Sequence, residues 1–236
     1  MNTKTIGIIG AMEEEVEALR AKLTSAEKLT KASMDFYSGV LNGHKVVIVR
    51  SGIGKVNAGI CTQILADLFH VDAVINTGIA GSLKAEINIG DIVISTDAVQ
   101  HDMDATGFGY KPGVIPRMET SCFRADPTLV RAAKAACEKA VPEIQAFTGR
   151  IVSGDQFISD RAVKDRILAQ FGGMCTEMEG AAIAQAAYLN KIPFVIIRAI
   201  SDKADDSAGM DYAAFEAQAI KHSVNLLLEM ASRYEA

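Results

Sequence analysis

The sequence predicts an α/β fold: a mixed central sheet with helices on both of its faces. Three observations carry this reading. Short apolar runs, clearest at Ile6–Gly10 and Phe194–Ile197, read as strands buried on both faces. These runs alternate with longer helical stretches, the pattern that layers helices over a sheet. An early Asn42-Gly43, a strong two-residue turn signal, marks a hairpin and makes the sheet mixed rather than purely parallel.

The elements are expected in the following order. The Ile6–Gly10 strand leads into a helix over Met12–Leu23. Asp35–Leu41 and Lys45–Ser51 form the hairpin, and Lys55–Phe69 is a helix. Ala73–Thr77 is a strand closed by a glycine-rich turn, and Asp91–Ala98 is another strand. Gly107, Gly109, Pro112, Gly113 and Pro116 make residues 100–120 a loop. A helix over Pro127–Ala140 precedes a strand over Ala146–Ser153. Helices at Asp160–Gln170 and Glu177–Asn190 then lead to the Phe194 strand and a last helix over Tyr212–Tyr234. No linker or repeat divides the 236 residues, so one domain over 1–236 is expected.

Composition narrows the function classes. A hydrophobic fraction of 49% supplies a sizeable core, and a net charge of −5 argues against nucleic acid or an anionic membrane as the main partner. No run of ~20 apolar residues predicts a membrane span. The N-terminal apolar run stops at Glu13, too soon for a secretory signal. The four cysteines (Cys61, Cys122, Cys137, Cys175) form no CxxC pair and have no ligand spacing with histidine, so neither a disulfide framework nor a zinc site is expected. The expectation is a reduced, cytoplasmic protein.

The chemistry concentrates where apolar runs end. Phe194–Asp206 reads FVIIRAISDKADD, so a buried strand runs straight into Arg198, Ser201 and Asp202. Strict alternation would turn Arg198, Ile200 and Asp202 to one side. Charges there are costly unless they pair or react, and the carboxyl ends of such strands are where open α/β sheets place ligands. Glu13, Glu14 and Glu15 follow the first strand; a first helical turn accounts for acidic residues through the macrodipole, yet three exceed what capping needs. Glu177 and Glu179 open an otherwise apolar helix, and a carboxylate there suits vicinal sugar hydroxyls. Ser51-Gly52-Ile53-Gly54-Lys55 and Asn76–Gly81 are glycine-rich turns after strands, but neither has GxGxxG or P-loop spacing. His101-Asp102-Met103-Asp104 offers metal-ligand types without a second nearby histidine, and reads better as a solvated or interface loop. His44, His70, His101 and His222 lie in no nucleophile-elbow context, which leaves acyl transfer unsupported. Carboxylates in different protonation states, by contrast, suit cleavage of an acetal-like bond.

These segments resemble the 5′-methylthioadenosine/S-adenosylhomocysteine nucleosidases of the purine nucleoside phosphorylase/hydrolase superfamily. The matching blocks are GIIGAMEEEV (7–16), SGIGKVNA (51–58), NTGIAGS (76–82), GDIVIS (90–95), HDMDATGFGY (101–110), IVSGDQFI (151–158), EMEGAAIAQ (177–185) and PFVIIRAISDKAD (193–205). They occur in order and span nearly the whole chain. The resemblance implies a three-layer αβα sandwich whose central mixed sheet is partly barrel-like. It implies that Glu15 activates water and Asp202, steadied by Ser201, protonates purine N7. Glu179 would hold the ribose hydroxyls beside Glu177, with Met178 against the sugar and Arg198 near the water. Phe157 would stack on adenine and the Ile158 backbone read its edge, while Met12, Ile53 and Tyr212 line the 5′-substituent pocket. Family members are homodimers whose partner loop closes that pocket, and Ala105, Phe108, Tyr110 and Pro116 occupy the matching positions. No metal or organic cofactor is implied.

The residue types agree with that chemistry. An N-ribosidic bond breaks when the base leaves protonated, so the acid must hold a proton near neutral pH. Free Asp ionises at about 3.9, and burial or hydrogen bonding to adenine would raise that. Two departures stand out. Ile79 occupies a position where many such nucleosidases carry serine and where related phosphorylases use serine to hold phosphate. Gly180 follows Glu-Met-Glu where alanine is frequent. The main expectation is hydrolysis of 5′-methylthioadenosine, S-adenosylhomocysteine and 5′-deoxyadenosine. The alternatives are a purine nucleoside phosphorylase, a nucleosidase shifted toward aminodeoxyfutalosine, and a non-catalytic adenosine-binding module.

Overall fold

The apolar run from Phe194 becomes a strand buried along its full length because it has a neighbouring strand on each side. The computed structural model describes residues 4–231. In chain order its elements are β1 (Thr5–Gly10), α1 (Glu13–Arg20), β2 (Thr24–Lys31), β3 (Met34–Leu41), β4 (His44–Arg50), α2 (Lys55–Phe69), β5 (Ala73–Ser82) and β6 (Ile92–Gln100). A 3-10 turn at Thr106–Phe108 follows, then β7 (Phe123–Arg124), α3 (Pro127–Ala140), β8 (Ala146–Ser153), α4 (Arg161–Phe171), β9 (Cys175–Glu177), α5 (Gly180–Leu189), β10 (Phe194–Asp202) and α6 (Ala208–Ala231).

Five of these strands close on themselves. β5 pairs in parallel with β10, β10 runs antiparallel to β6, β6 and β8 are parallel, and so are β8 and β9. β9 then returns antiparallel to β5, which completes a barrel-like ring. β1 and β4 extend the sheet in parallel from β5, and β3 and β2 continue it as an antiparallel meander. Period-2 alternation divides the core. Ile8, Ile75, Val195 and Ile197 pack with Val16, Leu129 and Leu226 of α1, α3 and α6. Ile9, Val74 and Ile196 pack with Cys61 and Leu65 of α2 and with Ile183 of α5. Helices thus cover both faces, as the sequence predicts. Asp126 caps α3 by accepting from Thr128 N (2.8 Å) and Leu129 N (3.0 Å), and Pro127 takes the first helical position.

Several boundaries differ from expectation, each for a physical reason. α1 stops at Arg20 rather than Leu23, and TSAEKLTK becomes β2, exposed throughout. That strand has no apolar face to announce it; backbone pairing with β3 holds it, together with Asp35, which accepts from Lys28 Nζ (2.7 Å) and Thr30 Oγ1 (2.6 Å). β5 does not stop at Thr77 but runs through its glycines to Ser82. β7 and β9, of two and three residues, are too short to show periodicity. Because β9 ends at Glu177, α5 begins only at Gly180, so Glu177 stands on a strand instead of opening a helix. α6 starts at Ala208, before Tyr212, and its expected end at Tyr234 lies outside the described residues.

One side chain ties the entries to two strands of the ring. The buried Asp91 accepts from Asn88 N (2.7 Å) and Gln145 N (3.0 Å), joining the entries to β6 and β8. Its backbone and that of Gly90 bond Ile200 of β10 in both directions. Removing the carboxylate strands two backbone donors. Asp91→Ala is expected to lose roughly 2–4 kcal/mol of stability, a fall in melting temperature of roughly 4–16 °C for a chain of this size, measured by calorimetry.

Candidate active site

Where β1, β5, β8, β9 and β10 reach their ends, the chain encloses a cavity of about 440 Å³. Its wall holds Met12, Glu15, Ile53, Ile79, Phe157, Ile158, Glu177, Met178, Glu179, Ser201, Asp202 and Tyr212. Every residue of this chain that the sequence assigns to a site is therefore gathered here except Arg198, which lies directly behind the wall. Ala105, Phe108, Tyr110 and Pro116 do not line it; Phe108 is 87% exposed on its loop. Ala11, Ala80, Gly81, Gln156 and Thr176 complete the wall. Ala11, Ala80, Gln156 and Thr176 are chain neighbours of assigned residues, and Gly81 belongs to the glycine-rich Asn76–Gly81 segment; Thr176 itself carried no sequence signal.

Glu15 sits in the third position of α1 and turns back toward the strand end. Its carboxylate accepts from Ala11 N (2.7 Å), Met12 N (3.0 Å) and Ile79 N (3.3 Å). Burial pushes it above the ordinary Glu range, against the pull of Arg198 and these donors. Gly78 makes the approach possible: a Cβ there would lie 2.7 Å from Glu15 Oε1 and 2.5 Å from Arg198 Nη1.

Arg198 is 1% exposed, with three carboxylates around it. Its Nη2 donates to Glu177 Oε2 and to Asn76 Oδ1 (2.6 Å), and lies 3.8 Å from Glu179 Oε2. Glu177 also accepts from Ser153 Oγ, Glu179 N (3.0 Å) and Gly180 N (2.8 Å). Burial would raise its pKa, but Arg198 and this set of donors outweigh burial and hold Glu177 below the usual range. Glu179 has less support. Burial and the charge of Glu177 push it up to about 7, although Arg198 and Gly54 N–H (2.8 Å) favour its ionised form. Gly180 fits this arrangement, since a Cβ there would lie 2.9 Å from Glu177 Oε1.

Asp202 departs from the expected alternation. The β10–β5 register places Ile200 opposite Ala80 and Asp202 opposite Gly81, so Ser201 is an extra residue. The bulge turns Asp202 away from the side of Arg198 and Ile200 and onto the face of Gly81, whose missing Cβ would lie 2.6 Å from Asp202 Oδ1. The carboxylate accepts from Ala204 N (2.8 Å) and Ser201 Oγ (2.8 Å). Burial raises it above the ordinary Asp range, and Asp211 and Asp205 add to the rise. Glu15 meets β5 at Gly78 and Asp202 meets it at Gly81. The two glycines stand three residues, about 10 Å, apart along the strand.

The rest of the wall is mostly apolar, with Gln156, Thr176 and Tyr212 as its polar members. Phe157 meets Tyr212 edge-on, with ring centroids 5.9 Å apart, and Tyr212 Oη donates to Glu216 (2.8 Å) beside Met12 Sδ (3.4 Å). The His101–Asp104 run holds loops. Asp102 accepts from Lys55 Nζ (2.6 Å) and Asp155 N (2.9 Å), and Asp104 accepts from Thr106. Among the described residues, no cluster of three His, Cys, Asp or Glu is placed to hold a metal ion. Arg198 Nε and Thr176 Oγ1 are buried polar atoms without a hydrogen-bond partner.

Comparison with known proteins gives this geometry a lineage. Residues 5–232 match the model of the phosphorylase superfamily. A 5′-methylthioadenosine/S-adenosylhomocysteine nucleosidase of Staphylococcus carnosus is 46% identical over 95% of this chain and 98% of its own length. The nucleosidase of that name from Colwellia psychrerythraea, solved in complex with adenine, is 42% identical with a TM-score of 0.93, covering 100% of this chain and 99% of its own. A futalosine hydrolase of Helicobacter pylori is 30% identical with a TM-score of 0.92, covering 98% and 99%. With a full-length family match and near-complete overlap at this identity, the chain belongs to the phosphorylase superfamily and, within it, to the 5′-methylthioadenosine/S-adenosylhomocysteine nucleosidases.

Proposed function

We propose that this protein hydrolyses the N-ribosidic bond of 5′-methylthioadenosine and S-adenosylhomocysteine, and also of 5′-deoxyadenosine, releasing adenine and the 5′-substituted ribose. The observation that carries this reading is the pair of buried acids, Glu15 and Asp202, which meet β5 at Gly78 and Gly81 and share the wall of one largely apolar cavity. Binding alone needs no such pair.

In this reading Asp202 gives its proton to N7 as the bond from C1′ to N9 breaks and its electrons pass to the base. Its raised pKa keeps that proton available, and Ser201 fixes the carboxyl group. Glu15 takes a proton from water as the water oxygen bonds to C1′, and its negative charge favours the oxocarbenium-like sugar. Arg198, behind Glu15 and Glu179, restrains the rise of both. Glu179 accepts from the ribose hydroxyls with Met178 against the sugar, and Glu177 anchors Arg198. Phe157 stacks on the base while the Ile158 backbone reads its edge. Met12, Ile53 and Tyr212 receive the 5′ substituent.

Water rather than phosphate is the acceptor. Ile79 has no side-chain donor, and its N–H is directed to Glu15. A second copy of the chain completes the pocket with Ala105, Phe108, Tyr110 and Pro116. The exposure of Phe108 (87%) and Ile53 (54%) supports that closure. The futalosine hydrolase likeness supports a second reading, the same bond cleavage on an aminodeoxyfutalosine-type substrate. Parallel assays of the two substrates separate them, and the larger kcat/KM decides.

Adenine release from 5′-methylthioadenosine is expected at the same rate with and without phosphate; release that requires phosphate would assign a phosphorylase. Asp202→Asn can still accept from Ala204 N, and its amide can donate to a reoriented Ser201 hydroxyl, yet it has no acidic proton, so kcat is expected to fall at least about 100-fold with substrate still bound. Glu15→Gln is expected to do the same through loss of the base. Rate against pH is expected to be bell-shaped. Activity is lost on the acid side as Glu15 protonates, at a pH above that of an ordinary Glu, and on the basic side as Asp202 gives up its proton. Asp202→Asn also removes a buried acid whose pKa is raised on folding. Its melting temperature is therefore expected to gain on the wild type as pH climbs from the unfolded toward the folded pKa of Asp202.

A further inference from the structure

Thr176 stands in the cavity wall with no assigned part in the reaction. It is 5% exposed, and its Oγ1 is buried without a hydrogen-bond partner. A buried hydroxyl left unpaired is a net cost to the fold, since water would have satisfied it in the unfolded chain. A threonine held in that condition at the edge of a ligand cavity points to a partner that arrives with the ligand.

Two strand pairings fix where the side chain stands. Thr176 of β9 is the antiparallel partner of Gly81, and Asp202 of β10 is the parallel partner of the same glycine on its other side. Directly paired residues project to one face of a sheet. The missing Cβ of Gly81 is aimed at Asp202 Oδ1. Thr176 and Asp202 therefore flank Gly81 on one face, two strand spacings or about 10 Å apart at the backbone, with Ala204 also packed over the glycine. A planar base whose edge meets Asp202 lies within reach of Thr176. Glu179, tied to Gly54 at the start of α2, marks the sugar side.

We propose that Thr176 Oγ1 hydrogen-bonds the purine base and is a specificity-determining contact for it. The inference rests on the nucleosidase reading for the identity of the base. A hydroxyl both donates and accepts, so it can serve either an amino or an oxo group on the ring. Valine has the same shape without that capacity.

The test is calorimetric titration of wild type, Thr176→Val and Thr176→Ser with adenine as the probe, alongside 5′-methylthioadenosine turnover and thermal melting. Thr176→Val is expected to bind adenine roughly three- to tenfold more weakly and to raise KM by a similar factor. Its melting temperature is expected to be no lower than that of the wild type, because an unpaired hydroxyl has been removed. Thr176→Ser is expected to restore binding to within about twofold. Unchanged adenine binding in Thr176→Val would overturn the proposal. So would equal weakening in both variants, which would assign the effect to the lost methyl or to packing. Failure of the wild type to release adenine would count against the nucleosidase reading instead, and the adenine titration would still decide the role of Thr176.

Discussion

The guanidinium of Arg198 is the constraint around which the site is arranged. It is fully enclosed, and removing either side of such a buried ion pair costs far more than a surface pair contributes. Glu177 answers it directly, and Ser153 and two backbone N–H groups fix Glu177 in turn. The remaining charge of Arg198 acts on Glu15 and Glu179, two acids that burial would otherwise drive toward neutrality. One cation among three carboxylates cannot neutralise them all. The outcome is a graded series: Glu177 held ionised, Glu179 near 7, and Glu15 raised but restrained. Such a spread separates an anchoring carboxylate from titratable ones within a single cluster.

Much of this was legible in the sequence because chemistry-bearing residues adjoin strong periodic signals. The Phe194 run marks a buried strand, and its charged continuation marks a site at the strand end. GAMEEE does the same after β1. Less legible was anything that depends on pairing between distant strands. Alternation alone turned Asp202 to the side of Arg198; the bulge at Ser201 moves it to the face of Gly81, and only the register with β5 reveals that. Glu177 read as a helix opener because three residues of β9 are too few to show a period. β2 escaped notice because its eight residues are exposed and polar, so pairing alone makes it a strand. Thr176 gave no signal, since a threonine in a short strand is ordinary until its hydroxyl is seen to lack a partner.

The glycines of β5 show how sequence and site meet. Within a strand a glycine ordinarily weakens the element. Here Gly78 admits Arg198 and Glu15, and Gly81 admits Asp202. The same segment that suggested a turn is a strand whose missing side chains leave space for the buried arginine and two acids. β5 also pairs with β1, β9 and β10, so it sets the spacing of acids that arrive from three different parts of the chain.

That placement also explains how the fold sustains a costly site. Raised carboxyl pKa values at Glu15, Glu179 and Asp202 mean that each acid opposes folding increasingly as pH rises from its unfolded to its native pKa, and by the full amount above that. An unpaired hydroxyl and an unpaired guanidinium N–H add to the opposition. The acids lie outside the two apolar layers; Arg198 alone springs from the middle of β10, between Ile197 and Ala199, and reaches out to them. Those layers are built from the middles of the strands, such as Ile8, Ile75 and Val195 on one face and Ile9, Val74 and Ile196 on the other. The polar cluster begins where those strands end. A parallel arrangement brings several strand ends to one edge, so poorly solvated acids can be concentrated there while helix packing against the strand centres continues undisturbed. The cost of the site is thus confined to the rim of the core, where substrate can reach it.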